Sequence, residues 1–304
     1  MMLALVLMTG CTKSEFLTPS EDMSEKQDVS LSFFETSIAG FDDNASRATT
    51  RADVSEIYNR LDVAFIPENK PYNGKDSIYH RNAENGEDIN SLHVVLPIGK
   101  YQLVAIASKA PDAMNIKSET DVEYPDGVIT DMASYYKKIE VRKDAPTEVC
   151  TMNRAIATFN FVCKDKYDSK KYNKIIFELS GNCGTTYDAT HFTSDDANGY
   201  TRTFDFPVPH PKLIGNFRVN ALLCSDKEEI DITVKIFKSD GSIYKTYRFP
   251  GVTLERGKVT TYTGTVFAEE GDLDFTVSDP ITMPDSDYGK EYSDEDLVTD
   301  DTQN

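Results

Sequence analysis

Short segments recur in the same order in the two halves of the chain, and this repeat constrains the fold more than any other feature. Three segments of the first half have a counterpart in the second: 58–65 with 172–179, 98–105 with 214–221, and 139–149 with 252–262. Matches in one order and at nearly one spacing are typical of duplicated domains. We therefore expect two tandem domains of like topology, over residues 28–153 and 154–267.

The repeated segments have the periodicity of β-strands. Leu61, Val63 and Phe65 are separated by single residues, and helical spacing is nowhere sustained. Asp240 and Gly241 lie between two apolar runs, where Asp-Gly favours a tight hairpin because these residues tolerate positive φ. Short strands separated by turn residues are typical of β-sandwiches. The chain is therefore predicted to be all-β, with two tandem β-sandwich domains.

Charge and composition exclude some classes of partner. The net charge of −19 disfavours nucleic acid, whose phosphates require a basic surface. No run of about 20 apolar residues is present, so no transmembrane helix is predicted. Acidic residues are concentrated in segment 268–304, an acidic tail whose last 20 residues we expect to be solvated and disordered. Within it, 275–277 and 281–283 could form a strand for a neighbouring chain, although Pro280 and Pro284 limit hydrogen bonding.

The first eleven residues have the layout of a bacterial lipoprotein signal. An apolar run is followed by Thr9, Gly10 and Cys11, and a cysteine in this position is the one that carries lipid. The alternative is a buried N-terminal strand. The polar segment 12–27 favours the lipoprotein interpretation, because it suits a flexible tether between a lipid on Cys11 and a folded body.

A long arginine-bearing segment follows the first strand of the first domain. Val29, Leu31 and Phe33 alternate with polar residues and predict that strand. Segment 42–53, which contains Arg47 and Arg51, is polar and has no equivalent in the second domain. We expect it to be a flexible loop open to proteases. The alternative is a surface insertion without a role.

Four cysteines remain besides Cys11, and their state is open. They are Cys150, Cys163, Cys183 and Cys224. None forms a Cys-x-x-Cys motif, which disfavours a zinc or redox site. In an exported protein they could form disulfides in three pairings, and free buried thiols are an equal alternative.

No catalytic constellation is present in the sequence. His-Glu-x-x-His, Gly-x-Ser-x-Gly and a complete P-loop are all missing. The four histidines, which lack ligand spacing, are His80, His93, His191 and His210. Segment 194–205 resembles a calcium loop but lacks the first carboxylate and the final Glu, so a hairpin turn is favoured. We therefore expect no catalytic residue, no metal site and no cofactor.

These features together resemble a known family, the fimbrillin-type (type V) pilins of Bacteroidales. The resemblance extends over residues 1 to about 267. It is carried by Met8-Thr9-Gly10-Cys11, by the strand at 29–34, and by segments 47–52, 61–65, 97–105, 153–157 and 254–264. It implies two transthyretin-like β-sandwiches, export to the outer membrane as a lipoprotein, and a non-enzymatic role in an adhesive surface fimbria.

The resemblance also implies a mode of assembly. In shaft subunits of such fimbriae, an arginine-specific protease removes the first strand, and the vacated groove accepts a strand from a neighbouring subunit. Here the removable strand would carry Val29, Leu31 and Phe33, and the cut would follow Arg47 or Arg51. An anchor subunit would instead keep the strand and the lipid on Cys11. The implied partners are other fimbrial subunits, bound by β-strand addition, and the outer membrane.

Two other functions are compatible with an exported pair of sandwiches. The first is a surface lipoprotein that binds glycan or host protein as a monomer through sandwich loops. It predicts that exposed aromatic residues, such as Tyr72, Tyr79 and Tyr124, cluster on one face. The second is a hydrolase with its site between the domains, for which converging carboxylates would be required.

Overall fold

The described part of the chain folds mainly into β-strands, which we number β1 to β22 in chain order. The computed structural model describes residues 25–38, 49–68, 78–83, 87–143, 146–167, 171–206, 213–267, 275–278 and 280–282. The strands of the first half are β1 (Lys26–Ile38), β2 (Thr49–Asp53), β3 (Arg60–Pro67), β4 (Tyr79–Ala83), β5 (Ser91–Pro97), β6 (Gly99–Ser108), β7 (Asn115–Ser118), β8 (Asp121–Glu123), β9 (Met132–Val141) and β10 (Glu148–Arg154). A single turn of helix, α1 (Val54–Ile57), joins β2 to β3.

The second half is built in the same way. Its strands are β11 (Ala157–Tyr167), β12 (Tyr172–Ser180), β13 (Cys183–Gly184), β14 (Thr186–Asp188), β15 (Thr193–Ser194), β16 (Tyr200–Asp205), β17 (Leu213–Leu223), β18 (Lys227–Lys238), β19 (Ile243–Glu255), β20 (Lys258–Gly264), β21 (Thr276–Val277) and β22 (Ile281–Thr282). The hairpin between β18 and β19 turns at Asp240 and Gly241, as predicted. Gly241 has a φ of +86°, and the Asp240 carboxylate accepts a hydrogen bond from the Ser242 amide.

Each half is a two-sheet sandwich. In the first, β1 pairs with β5 and, in parallel, with β10, while β4, β3, β6 and β9 form the facing layer. The end of β10 also pairs with β9, which connects the two layers into one continuous sheet. In the second, β11 pairs with β17 and, in parallel, with β20, facing the sheet of β16, β12, β18 and β19. The two halves therefore have one topology, and the prediction of an all-β chain with two tandem sandwiches is confirmed.

The strand pairings correct one of the three repeat matches. Segments 58–65 and 172–179 include the equivalent strands β3 and β12, and 139–149 and 252–262 cover equivalent parts of the halves. Segment 98–105, however, lies in β6, whereas 214–221 lies in β17. By topology β17 is the counterpart of β5, and β6 is the counterpart of β18. The match arose because both segments begin with Ile-Gly and continue as alternating apolar residues, a pattern that does not encode the pairing partner.

The two sandwiches are joined by a shared sheet and a shared core. Strand β8 of the first half pairs with β14 of the second, where Val122 lies opposite Tyr187. The hydroxyls of Ser134 and Tyr187 form a buried hydrogen bond, and the amide of Ile129 donates to the Tyr200 hydroxyl. Apolar residues between β6 and β9 pack into the core of the second half.

Part of the tail returns to the second sandwich. Strands β21 and β22 pair antiparallel with β20, and the ring of Phe275 stacks on Phe161. The described tail residues thus cover the edge of their own sheet. Among the described residues, no helix has the length and hydropathy needed to cross a membrane.

Candidate functional site

Strand β1 lies in the middle of its sheet, with neighbours along both edges. Leu31 and Ser32 pair with β5 and also with β10, so these two strands lie on opposite edges of β1. Phe34 and Glu35 pair with both β10 and β2, so β2 lies on the β5 side. Removing β1 would therefore leave two unpaired strand edges, facing each other across a groove.

One face of β1 forms part of the first core. Val29, Leu31 and Phe33 are buried, with exposed fractions of 8%, 1% and 0%. They pack with residues of β3, β5, β6 and β10 in a cluster that belongs wholly to the first half. Burial of side chains of this size contributes roughly 1.5–3 kcal/mol each. The same three residues were predicted from the alternation in the sequence.

The next inward position of β1 is occupied by a charged residue. Because side chains alternate along a strand, Glu35 follows Phe33 on the buried face, and its side chain is only 4% exposed. Its Oε1 lies 3.6 Å from Nε of Arg154, the last residue of β10. The same Nε lies 3.3 Å from Oδ1 of Asp131, which precedes β9. This buried cluster could not be recognised from sequence, because its members are far apart in the chain.

Two further polar side chains belong to the same cluster. Nζ of Lys109 lies 3.5 Å from Oδ2 of Asp131, and Nε of Arg154 donates a hydrogen bond of 3.3 Å to the Tyr58 hydroxyl. Burial raises the pKa of Asp131, with Arg154 and Lys109 opposing the shift. Burial lowers the pKa of Lys109, with Asp131 opposing. We call these five residues (Glu35, Tyr58, Lys109, Asp131 and Arg154) the junction cluster.

The two candidate cleavage residues differ in their surroundings. Arg47 lies outside the described residues. Arg51 lies within β2, opposite Thr36 of β1. The expectation that all of 42–53 is a flexible loop is therefore wrong for Thr49–Asp53. This segment is polar, but a strand on the rim of a sheet is held by its backbone and needs no apolar face. Directly after it, Val54 and Ile57 are buried.

The structure also bears on several other residues that the sequence suggested as functional. Cys11 and Tyr72 lie outside the described residues. Tyr124 is buried, and Tyr79 is half-buried with its ring packed edge-on against Tyr101. The predicted cluster of exposed aromatic residues is therefore wrong for Tyr79 and Tyr124, because both rings are packed within the body of the protein.

All four cysteines of the folded body are free thiols. Cys150, Cys163 and Cys183 are buried, and Cys224 is partly exposed. Burial raises the pKa of the Cys150 thiol to about 12, which keeps the thiol protonated and unreactive. Cys150 lies directly opposite Phe33 in the pairing of β1 with β10. The open choice between disulfides and free thiols is thus settled in favour of thiols in this structure.

The loop that resembles a calcium site is a structural turn. The Asp196 carboxylate accepts hydrogen bonds from the amides of Thr185, Thr186 and Asn198. Asp205 lies away from this turn, on β16 opposite Lys174. In the described part of the chain, no three His, Cys, Asp or Glu side chains are grouped closely enough to hold a metal ion.

Comparison with known proteins gives structural relatives only. No model of a known family and no curated protein matches the chain. One similar solved structure is a proposed adhesin of Bacteroides ovatus, with a TM-score of 0.49 and 13% identity, covering 83% of this chain and 94% of that chain. A proposed cell adhesion protein of the same species has a TM-score of 0.48 and 13% identity, covering 85% and 98%.

A third similar structure is a fimbrial assembly protein of Parabacteroides distasonis. Its TM-score is 0.40 at 13% identity, and the match covers 83% of this chain and 96% of that chain. The chain is thus similar in structure to adhesion and fimbrial proteins of these bacteria, at identities too low to transfer a role to any residue.

Proposed function

We propose that this protein is a non-enzymatic structural subunit or anchor of an adhesive cell-surface fimbria, assembled by β-strand exchange. The observation that carries the proposal is the position of β1. It is a single strand whose apolar residues Val29, Leu31 and Phe33 complete a core, and it has neighbours on both edges. A groove with apolar pockets and two unpaired edges is the kind of surface that binds an added strand.

The connection after β1 makes this strand separable from the body. Strand β1 ends at Ile38, and β3, the first strand of the facing sheet, begins at Arg60. In the second half the equivalent β11 ends at Tyr167, and β12 begins at Tyr172. One cut in the longer connection would free β1 from the body, whereas β11 has no comparable segment. We propose that the strand to be exchanged is β1 and that β11 is permanent.

Of the two arginines, we propose Arg47 as the principal cleavage residue. Proteases bind their substrates in locally extended, unpaired conformations, so a residue within a paired strand must first be released. Arg51 pairs with β1 through β2, and cleavage there requires β2 to open. A cut after Arg47 would leave β2 attached to the body.

The lipid on Cys11 is part of the same proposal. Segment 12–27 would tether the body to the outer membrane through this lipid. A cut after Arg47 would separate the lipid and β1 from the body together. An uncut chain would remain at the membrane as an anchor. Metabolic labelling with radioactive palmitate would test the attachment, with a Cys11→Ser chain as the unlabelled control.

The experiment that tests strand exchange is limited proteolysis of the purified chain with an arginine-specific protease. The expected result is a clipped body that forms higher oligomers on prolonged incubation, detected by size-exclusion chromatography with light scattering. Arg47→Ala should abolish most of the clipping, and Arg51→Ala should leave it nearly unchanged. A clipped body that has lost β1 and stays monomeric would overturn the exchange mechanism.

A further inference from the structure

Lys109 and Asp131 face each other where β6 ends and β9 begins. The pairing of these strands reaches Ser108 and Met132, so Lys109 and Asp131 occupy the next position along both chains. The backbone amide of Lys109 donates a hydrogen bond of 3.1 Å to the carbonyl oxygen of Asp131. The side chains also meet, since Nζ of Lys109 lies 3.5 Å from Oδ2 of Asp131. The backbone thus holds an amine and a carboxyl group close together.

This pair is buried, and burial favours its uncharged form. The side chain of Asp131 is 3% exposed and that of Lys109 is 22% exposed. Burial raises the pKa of Asp131 and lowers the pKa of Lys109, because each charged form loses contact with water. Transfer of a proton from the ammonium to the carboxylate gives a neutral amine beside a carboxylic acid. A neutral lysine amine is a nucleophile, and a carboxylic acid can lose its hydroxyl as water.

An exposed pair in the same segment shows the opposite behaviour. Nζ of Lys117 lies 2.6 Å from Oε1 of Glu123, which is closer than in the buried pair, and both side chains are exposed. The hydrogen bond between them raises the pKa of Lys117 and lowers the pKa of Glu123, so this pair stays ionised. A short distance is therefore not sufficient for reaction, and burial distinguishes Lys109 and Asp131.

We propose that Lys109 and Asp131 form an intramolecular isopeptide bond, which joins the end of β6 covalently to the start of β9. Nζ attacks Cγ of Asp131, a C–N bond forms, and the bond between Cγ and Oδ2 breaks. Oδ2 leaves as water with two protons, the one received from the ammonium and one from the attacking amine. One cation and one anion are consumed together, so the net charge of the junction cluster does not change and no further reactant is required.

The surroundings of the pair promote this condensation. Reacting groups held about 3–3.5 Å apart in a fixed geometry behave as if they were highly concentrated. Nε of Arg154 lies 3.3 Å from Oδ1 of Asp131, the oxygen that becomes the carbonyl of the new amide. The positive charge of Arg154 stabilises the negative charge that Oδ1 carries in the tetrahedral intermediate. Exclusion of water from Asp131 then opposes hydrolysis of the product.

The bond closes a loop that reaches the second sandwich. Segment 109–131 contains β7 and β8, and β8 pairs with β14 of the other half. A crosslink between the ends of this segment restricts the unfolded chain and so stabilises the folded one. The inference is independent of strand exchange, because neither Lys109 nor Asp131 belongs to β1.

Mass spectrometry of the purified full chain tests the proposal. Every sample carries Cys11→Ser, so that no lipid is attached. The expected mass is that of the sequence less one water molecule. Trypsin should not cut after Lys109, and it should release peptide 101–117 joined to peptide 118–137. Lys109→Arg keeps the positive charge but has no nucleophilic amine, and this variant should show neither the loss of water nor the joined peptides.

Lys117→Arg is the matched control, because it makes the same change in the exposed pair. It should keep the loss of water and the link between Lys109 and Asp131. Loss of water can also arise where an aspartate cyclises onto a following glycine, as at Asp126 or Asp240, and peptide mapping separates these sites from the link. A loss of water that maps to such a site would overturn the proposal.

The chain with native Lys109 decides the question even if the Lys109→Arg variant fails to fold. A full mass for this chain, together with tryptic cleavage after Lys109, would show that Lys109 and Asp131 are an ordinary ion pair. Recovery of the joined peptides from the folded chain, and their absence from chain kept in denaturant since synthesis, would confirm that the fold itself brings about the bond.

Discussion

Phe33 is the residue through which β1 contributes most to the first core, since its ring is fully buried. We expect Phe33→Ala to lower the free energy of unfolding by about 3–5 kcal/mol, because it removes buried surface and leaves a cavity. Ser32→Ala, one position away on the opposite face, should change it by less than about 0.5 kcal/mol. Chemical denaturation measures both. Similar losses for the two variants would show that β1 does not lie with Phe33 inward.

His191 provides a test of electrostatics outside the groove. Its Nδ1 lies 2.8 Å from Oδ2 of Asp188, and this hydrogen bond raises the pKa of His191 above its ordinary value. The pair therefore stabilises the fold below about pH 6.5, and this contribution is lost as pH rises through the raised pKa. In an NMR titration, Asp188→Asn should lower the pKa of His191.

His80 serves as the internal control for that titration. Burial lowers its pKa, and it lies on β4 in the other sandwich. The Asp188→Asn change should leave His80 unaffected. A His191 that titrates at the same pH in the wild type and the variant would contradict the hydrogen bond.

At the residue scale, the sequence predicts burial much better than it predicts charge networks. The alternation at Val29, Leu31 and Phe33 was sufficient to identify the inward face. The same alternation of side chains places Glu35 on the inward face of β1. A carboxylate at a buried position is the one feature of the sequence that could have indicated a buried ion pair. Its partner Arg154 is distant in sequence, so nothing local identifies it.

At the scale of the element, departure of β1 can be detected through Cys150. This thiol lies opposite Phe33 in β10, and burial raises its pKa to about 12. We expect a maleimide to label Cys150 after β1 is cut and displaced, because the thiol then gains access to water and its pKa falls toward the usual range of about 8.5. Peptide mass mapping identifies the labelled site.

Cys163 is the matched control for this labelling. It lies on β11, the counterpart of β1 in the second sandwich, and burial raises its pKa even more. It should stay unlabelled in the cut and uncut chains, whereas the partly exposed Cys224 should react in both. Labelling of Cys163 together with Cys150 would mean that the whole chain had unfolded.

Elements were predictable from the sequence to different degrees. Apolar alternation identified strands such as β3 and β12, and the repeat identified the two sandwiches. Strand β2 was missed because it is polar and is held by backbone pairing with β1. The partner of a strand was not predictable either, and β6 was matched with β17 because both show the same alternation.

At the scale of the whole molecule, the two sandwiches should unfold as one unit. They share the pairing of β8 with β14 and one of the two core clusters, which contains residues of both halves, and this couples their stabilities. Calorimetry should show a single transition for the wild-type chain. The Val122→Asp change buries an unpaired charge where the halves meet. We expect this variant to unfold in two calorimetric transitions, or with both halves destabilised.

Thr246→Asp is a suitable control for this variant, since it introduces the same side chain at an exposed position of β19, opposite Lys235. It should keep a single transition near that of the wild type. Two transitions in the wild-type chain would contradict the coupling of the halves.

The central position of β1 also affects the timing of assembly. A strand at the rim of a sheet can peel away one bond at a time, but β1 is bonded along both edges and must release two rows of hydrogen bonds and its buried side chains together. Its departure thus resembles partial unfolding, with a correspondingly high barrier. Under the proposed mechanism, a cut chain keeps its strand and remains a stored monomer. Departure of β1 from the cut chain is then the slow step, and the lifetime of the nicked state sets the rate at which subunits join.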